Sequence, residues 1–275
     1  MSGQLTDRSR LTAEQTLPPG QVPGGAVVAV VGAKGGSGAT LLSIHLAAAR
    51  ARSGRVGLLD FDFHRGGVAG ALDLWVDHSL HRLIEQIDRI DVKGFQEALV
   101  THPGGFHVLP QPFDFSELIQ PRAADVWRMV TMAATCFERV VVDCGSRVDE
   151  AMLAVVTKAD LVVVVSTPAI PALRDALRLV RLLRDLQVGE DRIRLVINHW
   201  TTNGPFSLPE VEAQLEVPVA LTVPRDEAAF AQVDFEARPI WDVSRRSRAA
   251  RALEEAWDAV AGNNEEVLLR LRRAP

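Results

Sequence analysis

The strongest constraint on the fold is a run of six apolar residues, 26–31, followed at once by the glycine-rich segment GAKGGSGAT. An apolar run that ends in glycines is typical of a buried strand that turns into a helix. Glycines in such a turn let backbone N–H groups approach phosphate oxygens, and a helix that begins there adds the positive end of its dipole. The segment therefore predicts a phosphate-binding loop between a strand and a helix.

The loop departs at one position from the usual pattern G-x-x-x-x-G-K-[ST]. Ala39 occupies the place of the lysine that normally reaches the β- and γ-phosphates, and Lys34 lies five residues earlier. Thr40 is placed to bind Mg²⁺. We expect the loop to bind nucleotide through Lys34, Gly35, Gly36, Ser37, Gly38, Ala39 and Thr40. The alternative is a glycine-rich turn without a ligand.

Length and composition limit the class of protein. A chain of 275 residues with 47% hydrophobic residues is long enough for one large α/β domain. The formal net charge of −5 provides no general attraction to nucleic acid, so DNA is not an expected partner. Cys136 and Cys144 lack metal-type spacing and indicate a reduced, cytoplasmic protein. The sequence contains no apolar run of about 18 residues, so we expect no transmembrane helix.

Short apolar runs alternate with longer helical patterns. We expect strands at 26–31, 55–60, 106–109, 139–143, 161–166, 193–197 and 219–223. We expect helices at 40–52, 79–88, 94–101, 122–136, 148–158, 169–187, 207–215, 226–235 and 246–260. Strands apolar on both faces predict a three-layer, doubly wound, mostly parallel α/β sheet with helices on both sides. Its domain would span residues 25–262, between a flexible tail at 1–24 and a short helix or tail at 263–275.

Carboxylates follow two of the expected strands. Asp60 and Asp62 leave the second strand beside the glycines of 66–67, and Asp143 ends the run Val140–Val142. In a parallel sheet such carboxylates lie at the edge where ligands bind. Asp143 and Asp60 are therefore candidates for a Mg²⁺ and water network with Thr40, and Asp62 for orienting an attacking water. Asp60 has an alternative role, which is to cap the next turn.

Two further segments end strands at this edge. The amide of Asn198 can present a donor and an acceptor to an adenine edge, although a turn-forming asparagine is equally consistent with the pattern. Pro224, with Arg225 and Asp226, follows the last strand and can form the opposite wall of a base pocket.

Together these segments resemble the MinD/ParA group of deviant-Walker ATPases over about residues 26–260. Within that group the chain is similar to the CpaE/TadZ branch, the localisation factors of Flp/Tad pilus systems. The similarity rests on GAKGGSGAT, LLDFDFHRGGVAGALDL, KADLVVVVSTPAIPALRDALRLVRLL, VINHW and VPRDEAAFAQVDFEARPI.

The resemblance implies a seven-stranded sheet and an ATP- and Mg²⁺-dependent homodimer. Lys34 would match the signature lysine that reaches the partner's phosphates, Asp62 the switch carboxylate, Asp143 the Walker-B acid and Asn198 the adenine contact. Ala39 departs from the pattern of the active members. A donor at a developing anion is typically worth roughly 3–4 kcal/mol, so we expect slow or absent hydrolysis.

We therefore expect a nucleotide-gated localisation factor for a pilus or secretion machine, located in the cytoplasm, at a pole or at the inner face of the membrane. One alternative is an active MinD/ParA-type ATPase that positions cargo on membrane or nucleoid. Another is a pseudo-ATPase scaffold or septum-site regulator that binds no nucleotide.

The segment 264–273 can form an amphipathic helix that touches a membrane or folds on the domain. The arginines at 174, 178, 181 and 184 form a stripe that is either a solvated helix face or a partner surface.

Overall fold

The computed structural model describes residues 24–75, 80–114 and 119–262. These residues build one sheet of eight strands in the order β3-β4-β2-β5-β1-β6-β7-β8. All neighbouring strands are parallel except the pair of β3 and β4. The strands are β1 Ala26–Gly32, β2 Val56–Asp60, β3 Val100–Thr101, β4 His107–Leu109, β5 Arg139–Asp143, β6 Leu161–Ser166, β7 Ile193–Trp200 and β8 Val219–Pro224. The expected α/β class is confirmed, with one strand more than predicted.

Helices cover both faces of the sheet. One face carries α3 Leu80–Glu85, α4 Val92–Glu97, α5 Ala123–Cys136, α6 Glu150–Lys158, α7 Ile170–Asp185 and α8 Leu208–Leu215. The other carries α1 Ala39–Ala51, α2 Val68–Ala71, α9 Glu227–Glu236, α10 Ile240–Val243, α11 Arg248–Glu254 and α12 Ala256–Ala261. Successive residues of β1 alternate between the two cores, which is why its sequence is apolar throughout.

The extra strand corrects one predicted helix. We expected a helix over 94–101, but α4 ends at Glu97 and β3 pairs antiparallel with β4. His102 N–H donates to the Phe106 carbonyl across a turn in which Gly105 has φ 88°. This tight turn overrides the helical pattern at the end of the segment. The helix predicted over 246–260 is also divided, into α11 and α12, and the short helices α2 and α10 were not predicted.

The topology places the loops after β1, β2 and β5 together. β1 lies between β5 and β6, and β5 lies between β1 and β2. The crossover from β1 leads to β2 on one side, and the crossover from β5 leads to β6 on the other. In open parallel sheets this reversal opens a crevice at the carboxyl ends of the strands.

Two expectations fall on parts of the chain outside these ranges. The predicted tail at 1–24 lies almost wholly outside the described residues, and so does the amphipathic segment 264–273. Within the described ranges, no helix is both long and apolar enough to cross a membrane.

Candidate functional site

The loop between β1 and α1 has the geometry of an anion site. Gly36 has φ 80° and Gly38 has φ 93°, conformations that glycine adopts without the strain that a Cβ would add. Gly38 is the N-cap of α1 and supplies no side-chain cap. The first N–H groups of the 13-residue helix α1 therefore have no intrahelical partner and point out of its positive end. A phosphate is the kind of group that satisfies them.

Asn198 braces this loop from the end of β7. Its Nδ2 donates to the Ser37 carbonyl at 3.0 Å, and its Oδ1 accepts from the His199 N–H at 2.9 Å. A Cβ on Gly38 would lie only 2.2 Å from Asn198 Nδ2, so the residue at 38 must be glycine for this contact to form. Asn198 was predicted to contact adenine, and the structure gives it a second role, which is to position the loop.

A cavity of about 390 Å³ lies over the loop. All seven residues of the predicted phosphate loop line it, from Lys34 to Thr40. The loops after β2 and β5 add Asp62, Arg65, Gly66, Gly145 and Ser146. The helices and the residues that directly follow them add Leu41, Ile44, His45, Ala71, Leu72, Val233, Asp234 and Arg238. Among these lining residues, the sequence analysis named the phosphate loop and Asp62 but none of the helical residues after Thr40.

A second cavity, of about 320 Å³, adjoins the first. It is lined by Gly38, Leu41, Asn198, His199, Asp226, Glu227, Phe230, Ala231 and Asp234. The two cavities share Gly38, Leu41 and Asp234, so they lie side by side near the start of α1. Pro224 is the last residue of β8 and is not among the lining residues, whereas its neighbour Asp226 is.

Asp60 and Asp143 are opposite each other on β2 and β5, and both are fully buried. Asp60 Oδ2 accepts from the N–H groups of Gly67 and Val68, at 2.9 and 3.0 Å. Asp60 thus holds the start of α2, which is the capping role considered as its alternative. Gly145 N–H donates to Asp143 Oδ1 at 3.2 Å, whereas Asp143 Oδ2 is buried and has no hydrogen-bond partner among the described residues.

Burial determines the protonation of this pair. Desolvation and then the neighbouring charge of Asp60 raise the pKa of Asp143 to about 7, although hydrogen bonds from Thr40 and Gly145 favour ionisation. Desolvation likewise raises the pKa of Asp60 to about 6 against three backbone hydrogen bonds. Two carboxylates this close do not readily carry charge together. The pair therefore creates a place where a cation would be strongly favoured.

Asp62 organises the loop that follows β2. Its Oδ1 accepts from the N–H groups of His64 and Arg65, at 3.1 and 3.2 Å. A Cβ on Gly145 would lie 2.6 Å from Asp62 Cγ, which shows that the loop after β2 packs directly on the loop after β5. Asp62 is partly exposed and lines the larger cavity, as expected for a carboxylate that contacts water there.

The same two loops are joined by a side-chain hydrogen bond that the sequence analysis missed. His64 Nε2 lies 2.9 Å from Asp149 Oδ2, and Asp149 also accepts from Met152 N–H as the N-cap of α6. Gln111 is a second missed residue, since its buried amide donates to the Asp60 carbonyl at 2.8 Å. Neither contact has a local signal, because the partners are 85 and 51 residues apart.

The arginine stripe on α7 is largely neutralised. Arg178 pairs with Asp175, Arg181 with Glu216, and Arg184 with both Glu190 and Glu216. Paired surface arginines present little net positive charge to a polyanion. The geometry therefore favours the solvated helix face over a DNA surface.

Comparison with known proteins agrees with this fold. The model of the CobQ/CobB/MinD/ParA nucleotide binding domain matches residues 28–240. The chain therefore belongs to the CobQ/CobB/MinD/ParA family of nucleotide-binding domains.

Two relatives cover most of the chain. An uncharacterised ATP-binding protein of Methanocaldococcus jannaschii is 25% identical over 249 residues, covering 90% of this chain and 91% of that protein. The septum site-determining protein MinD of Thermotoga maritima is 28% identical over 213 residues, covering 74% of this chain and 76% of that protein.

Solved structures match the fold at lower identity. A ParA family ATPase from Chlorobium tepidum has a TM-score of 0.75 and 21% identity, covering 84% of this chain and 98% of its own. MinD from Pyrococcus horikoshii, solved with Mg-ADP, has a TM-score of 0.73 and 18% identity, covering 86% of this chain and 97% of its own. These likenesses support the fold.

Proposed function

We propose that this protein is an ATP-binding, nucleotide-gated dimeric localisation factor for a pilus or secretion machine, with weak or absent hydrolysis. The observation that carries the proposal is a complete phosphate loop whose lysine position is occupied by Ala39. The loop keeps its glycine turns, its free N–H groups and its contact with Asn198. Binding of the phosphates therefore has its donors, while the loop itself lacks the lysine that would stabilise the transition state.

Mg²⁺ fits the oxygen groups beneath this loop. The unpartnered Oδ2 of Asp143 and the hydroxyl of Thr40 are oxygen donors, which Mg²⁺ prefers, and Mg²⁺ usually takes few protein ligands with phosphates and waters. Thr40 and Asp143 would hold the ion, with Asp60 acting through water. The ion would neutralise phosphate charge.

The smaller cavity suits the base. Phe230 offers an aromatic face, and Asn198 keeps one N–H of its amide beyond the bond to Ser37. Because both cavities are lined by Gly38 and Leu41, one nucleotide would place its phosphates in the first and its base in the second. The polar edge of a purine would then meet Asn198, as the sequence predicted.

Dimerisation is proposed at the carboxyl edge of the sheet. Val148, after β5, is 60% exposed, and Ile170, at the start of α7, is 52% exposed. Both follow the ends of central strands, so they flank the phosphate loop. Lys34 is exposed on that loop and makes no ion pair with another described residue. A partner that covers this edge would bury the apolar side chains and bring Lys34 to its own nucleotide.

An active MinD/ParA-type ATPase is the second candidate. Asp62 favours it, because this carboxylate lines the cavity beside the phosphate loop and is partly exposed. This candidate predicts partner-stimulated hydrolysis that is lost in Asp62→Ala. If ATP hydrolysis in the presence of membranes and DNA is no faster with the protein than in buffer alone, this candidate is excluded.

The proposal is tested by calorimetry with Mg·ATP and by light scattering coupled to size exclusion, with Mg·ATP, Mg·ADP and no nucleotide. We expect the dimer only with Mg·ATP, and its loss in Lys34→Ala. The control is Lys93→Ala, which removes a lysine that is 82% exposed and pairs only with Glu97. If the protein shows no affinity for nucleotide, and its molar mass is the same under all three conditions, a scaffold that binds no nucleotide is favoured.

A further inference from the structure

The phosphate loop lacks a cation at position 39, and a different loop carries one to the same cavity. We propose that Arg65 supplies, within the same subunit, the positive charge on the terminal phosphates that Ala39 does not. This inference rests on the proposed nucleotide binding and adds a residue to it. Arg65 belongs to neither the glycine loop nor the strand-end carboxylates.

The backbone around Arg65 is held in place on both sides. Arg65 N–H donates to Asp62 Oδ1 at 3.2 Å, and Gly66 N–H donates to the Asp62 carbonyl at 2.8 Å. One residue further, Gly67 N–H donates to Asp60 Oδ2. The turn is thus fixed by two carboxylates of β2 and its end, which positions Arg65 before a ligand arrives.

This turn lies against the nucleotide loop. A Cβ on Gly67 would lie 3.3 Å from Thr40 Oγ1, so the backbone at residue 67 packs directly on the first turn of α1. Arg65 lines the cavity of about 390 Å³ together with every residue from 34 to 40. Arg65 also borders a neighbouring cavity of about 580 Å³ that Gln111 and Pro112 line. Its exposed side chain therefore lies at the edge of the space that phosphates would fill.

The charge of Arg65 is not neutralised by an ion pair with another described residue. Three cations line the cavity, namely Lys34, Arg65 and Arg238. Arg238 lies 3.4 Å from Glu236 and is paired with it. Among the described residues, neither Arg65 nor Lys34 has an ion-pair partner, and Lys34 is proposed above to act on the partner subunit.

Arginine is also suited to the task chemically. Its guanidinium presents several donors in a planar fork and binds phosphate oxygens in pairs, whereas lysine acts as a point charge. A cation that reaches the γ-phosphate makes a contact that ADP cannot offer. Arg65 should therefore contribute more to the affinity for ATP than to the affinity for ADP.

The test is titration calorimetry of the full chain with Mg·ATP and with Mg·ADP. Hydrogen bonds to charged groups are worth about 1.5–3 kcal/mol, so we expect Arg65→Ala to weaken Mg·ATP binding about 10- to 100-fold. Mg·ADP binding should weaken less, and Arg65→Lys should lie between. The control is Arg178→Ala, which removes an arginine of α7 that is paired with Asp175 and lines neither cavity. Ala39→Lys in the Arg65→Ala background should recover most of the lost ATP affinity.

The outcomes separate this inference from the function beneath it. A wild-type protein without affinity for Mg·ATP would refute the proposed function. If the wild type binds Mg·ATP, and Arg65→Ala and Arg65→Gln bind it as tightly as Arg178→Ala does, only the role of Arg65 is overturned. Equal losses of affinity for Mg·ATP and Mg·ADP would also overturn it, because Arg65 would then make no specific contact with the terminal phosphate. Thermal unfolding of each variant confirms that the exposed substitution leaves the fold intact.

Discussion

Two glycines of the phosphate loop share a left-handed backbone but have different surroundings. Gly36 has φ 80° with nothing near its missing Cβ, whereas a Cβ on Gly38 would clash with Asn198. We expect Gly36→Ala to lower the free energy of unfolding by about 1–2 kcal/mol through backbone strain alone. Gly38→Ala should lower the free energy of unfolding by more than this and should also weaken nucleotide binding. Urea denaturation and calorimetry measure the two effects.

The clash at position 38 can be separated from the strain by a double-mutant cycle. Asn198→Ala removes the atom that the new methyl group would meet, so the double variant should be more stable than the sum of the two single changes predicts. Strict additivity would show that the close approach of Asn198 and Gly38 does not determine the choice of glycine.

The buried His45 should make stability depend on pH. Burial lowers its pKa from 6.5 to about 4, and it is held neutral between the Leu41 carbonyl and the Ile240 N–H. The unfolded chain takes up the proton first as the pH falls below 6.5. Stability contributed by neutral His45 is therefore present above pH 6.5 and is lost toward pH 4, by about 2 kcal/mol between pH 7 and 5.

Urea denaturation of wild type and His45→Gln at both pH values checks this. The variant should be less stable at pH 7 but should lose less stability on acidification. Burial also lowers the pKa of His102 and of His107, so only the difference between the two proteins isolates His45. Equal losses in both proteins would contradict the prediction.

At the scale of elements, the loop after β2 is attached to α6 by the pair of His64 and Asp149. Its two side chains are only 19% and 26% exposed, so the bond is partly shielded from water. We expect His64→Ala to weaken this attachment by about 1 kcal/mol, which corresponds to roughly fivefold faster amide exchange in segments 61–68 and 146–152. Hydrogen exchange measured by mass spectrometry detects it.

The matched control is Arg128→Ala, which removes an exposed ion pair with Asp88. Exposed pairs contribute little, so exchange should hardly change. Exchange in His64→Ala that is no faster than in this control would mean that packing of Gly145 on Asp62, and not the contact of His64 with Asp149, holds the two loops together.

At the scale of the whole molecule, the carboxyl edge of the sheet is the proposed dimer surface. Ile170→Asp places a charge where the partner would bury an apolar side chain, and unpaired buried charges are costly. We expect this variant to remain monomeric with Mg·ATP in light scattering. Its affinity for nucleotide, measured at concentrations where the wild type is also monomeric, should be unchanged.

Ala213→Asp is the control for that variant. Ala213 is exposed within α8, a connecting helix away from the strand ends, and its substitution should leave the nucleotide-dependent dimer intact. A dimer that persists in Ile170→Asp would place the interface elsewhere on the molecule.

The features that could be read from the sequence are those with local causes. The runs 26–31, 139–143 and 161–166 are apolar on both faces, and β1, β5 and β6 cover the same segments. The glycine loop combines a strand, a tight turn and a helix start within 26 residues, so its conformation follows from neighbouring residues. The short strand β3 was misread because its hairpin pairing with β4 overrides a helical pattern.

What only the tertiary structure decided are contacts between distant parts of the chain. Asn198 reaches Ser37 across 161 residues, and Asp60 lies opposite Asp143 because β2 pairs with β5. Arg65 lines the phosphate cavity because the loop after β2 packs on Thr40. Such contacts depend on strand order, which is set by how helices bury both faces of the sheet, and neither residue's neighbours encode it. The sequence alone determined the phosphate loop and its missing lysine, whereas the folded sheet decided which side chains surround that loop.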